Sequence, residues 1–173
     1  MKTLRLFFLL ISLTAILSCK KSDSDVKPNF NVEKYIELLK ANQYDSMNLP
    51  KFTYQDIPAL LKYRNATQII NNFQRNGISS LYGPNCKLGM YVLWTIESIR
   101  AVAINSKYLI RRFPSQNPIL ALRSTTSLNL VYSDESHQIA AKAYFDWWEK
   151  NKQNDFDGFK NTDPLKSSDY KWH

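Results

Sequence analysis

The stretch KLGMYVLWTIESIRAVAI, residues 87–104, decides the fold of this chain. Its apolar residues follow helical spacing around nearly the whole circumference, which predicts a helix about 27 Å long that is buried on most sides. Glu97 and Arg100 are the charged residues in its middle, and their i,i+3 spacing allows them to pair. The same two charges argue against a membrane span. We therefore predict a central buried helix around which the other elements pack.

Two further helices have well-defined predicted ends. Asn31 is placed to cap a helix over residues 32–42, whose apolar residues share one face. Ser133 or Asp134 caps another helix that continues to Lys152. Acidic residues lie in the first turn of this helix and lysines at its end, which suits the helix dipole. Both helices are amphipathic and are expected to pack against the central one.

The segments between these helices have weaker patterns. Pro58 falls early in a short helix within 52–66, where its missing N–H costs nothing. Residues 67–73 are predicted to be helical or irregular. Within 114–133, residues 119–122 could form one helical turn and residues 128–132 a strand or another short helix, and short helices are favoured because no partner strand is evident. The polar tail, 153–173, is predicted to be extended and to pack back on the domain. The predicted fold class is therefore all-α, a single compact domain of five to seven helices.

The N-terminal residues have the pattern of a bacterial export signal. Lys2 and Arg5 precede an apolar run over 6–17, and Cys19 follows it directly, as in a lipobox. In signals of this kind the chain is cut before the cysteine, which then carries lipid. Acyl chains contribute roughly 0.8 kcal/mol per buried CH₂, so lipid on Cys19 is enough to anchor a soluble domain.

The resulting organisation has three parts: a signal peptide at 1–18, a flexible tether at 19–30 and an all-helical domain at 31–173. We predict a location in the cell envelope, with the outer membrane favoured and its periplasmic and surface faces both open. The predicted contact with the membrane is the lipid on Cys19. An envelope protein or a glycan is the expected further partner.

The charge of the mature chain is positive but dispersed. Removal of Lys2 and Arg5 with the signal leaves 21 of the 23 basic residues against 15 acidic ones, a net charge of +6. The basic residues are scattered along the chain, which favours a solvated surface over a site for a polyanion or an acidic glycan. An exported protein also meets little nucleic acid, so nucleic acid is not an expected partner.

Few residues favour a catalytic or metal site. Only four glycines occur, and none has the spacing of a phosphate-binding or dinucleotide-binding loop. Cys86 and His137 are candidates for a nucleophilic pair, but a lone cysteine is more often a small buried apolar residue. Asp155 and Asp157 match the middle of a calcium loop whose twelfth position is Pro164 instead of glutamate. We predict no catalytic residue, no metal and no cofactor.

Four residues are the candidates for ligand binding. Glu97 and Arg100 form either a buried structural pair or a pair of charges that faces a pocket. Trp147 and Trp148 are adjacent on one helix, so they point about 100° apart and one of them can reach the surface. Core packing is the favoured role of the tryptophans, and structural pairing that of the two charges.

Several segments resemble the small uncharacterised lipoproteins of Bacteroidetes. The segments that carry the resemblance are LSCKKSD (17–23), DIPALLKYRN (56–65), LGMYVLWTIESIR (88–100), RFPSQNP (112–118), AYFDWWEKN (143–151) and DPLKSSDYKW (163–172). The last three are also similar to segments of HEAT-like helical-repeat domains. This resemblance implies helical pairs stacked as a short solenoid, and it implies no activity.

The function predicted from these features is a lipid-anchored binding or interaction module of the envelope, with an unknown ligand. The alternative is an enzyme, or a receptor for a small ligand or glycan, with a pocket near Glu97 and Arg100. The two differ in what surrounds Glu97: a cleft favours the enzyme, whereas burial against an arginine removes its only candidate acid. Binding without catalysis is the favoured prediction.

Overall fold

Leu88–Ala103 forms the central helix in the computed structural model of the chain. All of its residues from 88 to 99 are buried. The ring of Trp94 is fully buried, lies 5.5 Å from the ring of Phe113 and donates a hydrogen bond of 2.8 Å to Ser115 Oγ. Burial on all sides confirms the helix predicted from the spacing of its apolar residues.

The structure describes residues 30–81, 83, 85–124 and 128–173. The chain divides into two units, Met1–Phe30 and Asn31–His173, and the second contains the described core. The predicted signal peptide and Cys19 lie outside the described residues, as does the tether apart from residue 30. Because the second unit has its own hydrophobic core, we treat it as an independently folding domain.

Helices surround the central one on several sides. In chain order, with the central helix as α3, they are α1 (Val32–Lys40), α2 (Ile57–Leu61), α3 (Leu88–Ala103), α4 (Asp134–Asn151) and α5 (Phe156–Phe159). The predicted caps of α1 and α4 are confirmed, because Asn31 Oδ1 accepts from Lys34 N and Ser133 Oγ accepts from Ser136 N. A 3₁₀ turn at Tyr54–Asp56 leads into α2. No helix of the described residues is long and apolar enough to cross a bilayer.

Two small antiparallel sheets complete the domain and contradict the predicted all-α class. In the first, β1 (Ile69–Ile70) pairs with β2 (Cys86–Lys87). In the second, β3 (Leu120–Leu122) lies between β4 (Leu130–Val131) and β5 (Tyr170–Trp172). The fold is therefore mixed α/β, and the predicted HEAT-like stacking of helical pairs is wrong.

The strands were missed for a physical reason. Each has only two or three residues, so the alternation that identifies a strand cannot develop. Helices were favoured over residues 119–122 and 128–132 because no partner strand was evident, and the strand alternative left open at 128–132 is the one that the structure shows, as β4. The second partner of β3 is β5. Leu120 of β3 pairs with Trp172 of β5, which lies about fifty residues further along the chain.

The C-terminal tail closes the second sheet. His173 N donates to Ile119 O, and Asn117 N donates to His173 O, both at 3.0 Å. Leu165 is buried and Trp172 lies in β5. The prediction that the tail packs back on the domain is confirmed, but the predicted extended conformation holds only at β5, because α5 and a turn that contains Leu165 lie within residues 153–173. The tail also brings Trp172 toward α4.

Candidate functional site

Glu97 and Arg100 form an ion pair within α3. Arg100 Nη2 donates to Glu97 Oε1 at 2.5 Å, and Arg100 Nε donates to Glu97 Oε2 at 3.0 Å. The Arg100 side chain is only 11% exposed and the Glu97 side chain only 9%. The third guanidinium nitrogen donates to Lys160 O at 3.2 Å. The pair is thus bidentate and buried, the geometry in which each partner satisfies the other most fully.

Tyr144 and Trp172 extend this pair into a network across the core. Tyr144 Oη on α4 donates to Glu97 Oε2 at 2.7 Å, and Trp172 Nε1 on β5 donates to Tyr144 Oη at 2.8 Å. Burial, followed by the negative charge of Glu97, raises the pKa of Tyr144 well above its ordinary value. Burial opposes the charge of Arg100, but the hydrogen bond and charge of Glu97 outweigh it and raise its pKa. Tyr144 therefore stays neutral and Arg100 stays charged near pH 7, and the network links α3, α4 and β5.

The surroundings of Glu97 fit a structural role. Its two carboxylate oxygens accept three hydrogen bonds, two from Arg100 and one from Tyr144. Glu97 lines neither of the two cavities described below. A general acid or base must reach a substrate proton within hydrogen-bond distance, and this carboxylate is already occupied. The geometry leaves the enzyme alternative without its candidate acid.

Trp147 and Trp148 also lie in the core. They are 5% and 9% exposed, and both rings pack on Phe159, at centroid distances of 5.2 and 6.1 Å. Trp147 Nε1 is the one fully buried side-chain nitrogen or oxygen of the described residues that lacks a hydrogen-bond partner. Neither tryptophan presents a face for stacking on a ligand. The structure therefore does not bring them together with Glu97 and Arg100 into one open site.

The larger cavity lies elsewhere and has a volume of about 320 Å³. Its lining residues are Met47, Gln74, Arg75, Asn76, Gly77, Ile78, Ile110, Arg111 and Phe113, and we call it the Arg75–Arg111 cavity. These two arginines are the only charged residues among the described residues that line it. A volume of this size lies at the lower end of the range for small-molecule sites. Its lining combines cationic and amide groups with an apolar wall.

Core contacts position the first wall of this cavity, residues 74–78. Tyr91 Oη on α3 accepts from Gln74 N at 3.0 Å, and it lies 3.1 Å from Gln74 O, to which it donates. The buried Asn76 side chain donates to Ser115 O at 3.1 Å. The Arg75 guanidinium lies 4.3 Å from the centre of the Phe73 ring, a cation–π contact that restricts its position.

A strained turn positions the second wall. Arg111 has a φ of 56°, in the left-handed region that non-glycine residues rarely adopt. The flanking residues hold it there, because Ile110 N donates to Phe113 O and Phe113 N donates to Ile110 O. Arg112 points inward and donates to Pro50 O and Phe52 O at 2.9 and 3.1 Å. Strain of this kind is concentrated at functional sites, and here it places an arginine at the cavity.

The sequence signal for this cavity is a long segment with almost no acidic residues, which is easy to overlook because basic residues occur throughout the chain. From 57 to 133 the only acidic residue is Glu97, which Arg100 neutralises. The same segment contains nine basic residues: Lys62, Arg64, Arg75, Lys87, Arg100, Lys107, Arg111, Arg112 and Arg123. All other acidic residues precede or follow it. The distribution of acids therefore marks the cationic part of the domain more clearly than the distribution of bases.

The smaller cavity has a volume of about 150 Å³ and lies beside α4. Cys86, Met90 and His137 are among the residues that line it, and we call it the Cys86–His137 cavity. The structure thus brings together the two residues considered as a nucleophilic pair. Burial raises the pKa of the Cys86 thiol to about 12. A neutral thiol is a poor nucleophile, so the arrangement does not support thiol catalysis.

His137 is held in one tautomer. Its Nε2 lies 2.8 Å from Arg64 O, and because a carbonyl oxygen only accepts, Nε2 carries the proton. Burial lowers the pKa of His137, although the hydrogen bond to Arg64 O acts in the opposite direction. The ring is therefore neutral near pH 7, and Nδ1 carries a lone pair.

The fold and its cavities define a class: a mixed α/β domain with a buried ion-pair network and an open cationic cavity. The chain belongs to the DUF4943 family, whose model is described as a domain of unknown function and matches residues 26–173. No curated protein and no solved structure matches the chain significantly.

Proposed function

We propose that the chain is a lipid-anchored binding module of the cell envelope, and that its ligand is an anion with an apolar face. The observation that carries the proposal is the Arg75–Arg111 cavity, whose charged lining residues are both arginines. Arginine is suited to carboxylate and phosphate groups because its guanidinium donates two parallel hydrogen bonds. Phe113, Ile78 and Ile110 supply the apolar wall.

The lipid anchor is supported by the sequence of the N-terminus. An apolar run over 6–17 ends directly before Ser18 and Cys19, in a pattern similar to the lipoprotein signals of Bacteroidetes. An acyl-modified Cys19 would hold the domain at a membrane through a tether. This arrangement presents the cavity to soluble or surface-bound anions of the envelope.

Lipidation is tested by metabolic labelling with an alkyne-tagged palmitate in a bacterial host that processes lipoproteins. We expect label on the full-length chain and recovery of the chain with the membrane fraction. The Cys19→Ser variant should lose both, because it lacks the thiol that carries the lipid. Cys86→Ser is the matched control and should keep both. Labelling of the Cys19→Ser chain would contradict the anchor.

Ligand binding is tested with two probes that differ in one charged group, 4-nitrophenyl β-D-glucuronide and 4-nitrophenyl β-D-glucoside. We expect calorimetry on residues 20–173 to give a Kd for the glucuronide of about 0.1–1 mM. The glucoside should bind at least about tenfold more weakly, because charge-assisted hydrogen bonds contribute roughly 1.5–3 kcal/mol. The variant Arg75→Gln/Arg111→Gln should bind both probes equally weakly.

The control variant removes the same charge away from the cavity. Lys62 and Lys150 are exposed and line neither cavity. Lys62→Gln/Lys150→Gln should therefore preserve the preference for the glucuronide. If this variant loses the preference as fully as the arginine variant, the attraction is a property of net charge and the cavity is not the site.

A further inference from the structure

We propose that Cys86, Met90 and His137 form a binding site for Cu(I). The proposal concerns the Cys86–His137 cavity and is independent of the proposed anion site. A cavity of about 150 Å³ is smaller than the sites that take drug-sized ligands, but it is large enough for a metal ion. The three side chains that line it are 9%, 8% and 4% exposed, so an ion held by them would be shielded from water.

The donor atoms are those that favour Cu(I). Cysteine and methionine sulfur are soft ligands that select Cu(I), and imidazole nitrogen suits copper as well. Among the described residues no group of three or more histidine, cysteine, aspartate or glutamate side chains is placed to hold a metal ion. The third donor here is a thioether, which hard cations do not favour. The donor set therefore excludes Mg²⁺ and Ca²⁺ at this cavity and points to a soft monovalent ion.

The histidine provides an observation independent of the cysteine. Among fully buried side-chain nitrogen and oxygen atoms of the described residues, only Trp147 Nε1 lacks a hydrogen-bond partner. Among the described residues His137 Nδ1 has no hydrogen-bond partner, and His137 is one of the residues that line the cavity. This nearly buried ring therefore brings an unpartnered nitrogen to the lining of the cavity.

The other ring nitrogen has the partner expected of a metal ligand. Ligating histidines usually donate their second N–H to a carbonyl or carboxylate, which fixes the tautomer and the ring orientation. His137 Nε2 donates to Arg64 O at 2.8 Å, so this requirement is met before any ion binds. Lys87 pairs with Asp134, and the positive charge of Arg75, which also acts on Cys86, would be opposed in the complex by the Cys86 thiolate.

Binding requires the thiol to lose its proton. The step is Cys86–SH + Cu⁺ → Cys86–S–Cu + H⁺, with the thioether of Met90 and Nδ1 of His137 donating lone pairs and no change in oxidation state. The proton leaves to solvent, so the affinity should rise about tenfold for each pH unit.

The test is competition for Cu(I) with the chelator bicinchoninate, under reducing conditions, on residues 20–173. We expect one Cu(I) per chain, with an affinity that increases from pH 6 to pH 8. Cys86→Ser should weaken binding by at least about a hundredfold, and Met90→Leu and His137→Gln by about tenfold or more each. Because Met90→Leu preserves apolar volume, a loss of Cu(I) affinity in this variant would report the missing sulfur donor and not a folding defect.

The control is His173→Gln, which removes the only other histidine and should leave the affinity unchanged. Circular dichroism of each variant checks the fold. Copper X-ray absorption should show sulfur and nitrogen neighbours. Two outcomes would overturn the proposal: binding no tighter than that of Cys86→Ser, or wild-type affinity in both Met90→Leu and His137→Gln, which would show a lone thiol instead of a three-ligand site.

Discussion

Replacement of Glu97 by alanine should destabilise the domain by about 3–5 kcal/mol, because it leaves a buried guanidinium without its counter-ion. Arg100 would keep its hydrogen bond to Lys160 O, and Tyr144 would lose the carboxylate to which it donates. A domain of this kind has a free energy of unfolding of roughly 5–15 kcal/mol. In urea denaturation the midpoint should therefore fall by roughly 2 M.

A paired replacement separates the cost of an orphaned charge from the value of the ion pair. Glu97→Leu/Arg100→Met removes both charges and preserves most of the apolar volume, so it should be much closer to wild type than Glu97→Ala. A buried pair is often exchangeable for apolar residues at little cost in stability. If Glu97→Ala unfolds at the wild-type midpoint, Glu97 is not the structural centre of the network, and a role in binding becomes the better explanation.

Replacement of Gly89 by alanine should be the second most damaging substitution, at about 3 kcal/mol. A Cβ at this position would lie 2.5 Å from Arg64 O and 2.5 Å from His137 Nε2. The first of these atoms belongs to the backbone and cannot rotate away. The new methyl group must therefore push α3 away from residue 64 and from the start of α4. Thermal denaturation followed by circular dichroism measures the loss.

Gly158→Ala is the matched control for this change. Gly158 lies in α5, and a Cβ there would meet nothing within 4 Å. Alanine in place of glycine in a helix stabilises by roughly 0.5–1 kcal/mol, so this variant should melt at or above the wild-type temperature. A Gly89→Ala chain as stable as Gly158→Ala would show that α3 does not approach Arg64 and His137 as closely as described.

The helices could be predicted from the sequence because their signals are local. The apolar residues of α3 cover its whole circumference, and Asn31 and Ser133 mark the starts of α1 and α4. The strands could not be predicted, because two or three residues do not establish a period. Their identity depends on partners such as Trp172, which lies far from Leu120 in the sequence. The all-α prediction failed where structure is determined by long-range pairing.

The candidate sites also differ in whether they follow from local spacing in the sequence or from long-range packing. The pairing of Glu97 with Arg100 follows from their spacing on one helix, and the structure shows that pairing. The Arg75–Arg111 cavity does not follow from spacing, since its walls come from two distant loops. The meeting of Cys86 with His137 at one cavity likewise depends on how β2 and α4 pack. A segment from 57 to 133 with a single acidic residue was the available sequence signal.

The most direct test of the account is an NMR titration of ¹⁵N-labelled residues 20–173 with 4-nitrophenyl β-D-glucuronide. Amide shifts should concentrate in the two loops that form the Arg75–Arg111 cavity, residues 74–78 and 110–113. The matched glucoside should produce much smaller shifts in the same amides. Shifts centred on Glu97 or on Trp147 and Trp148, with the two loops unchanged, would contradict the account.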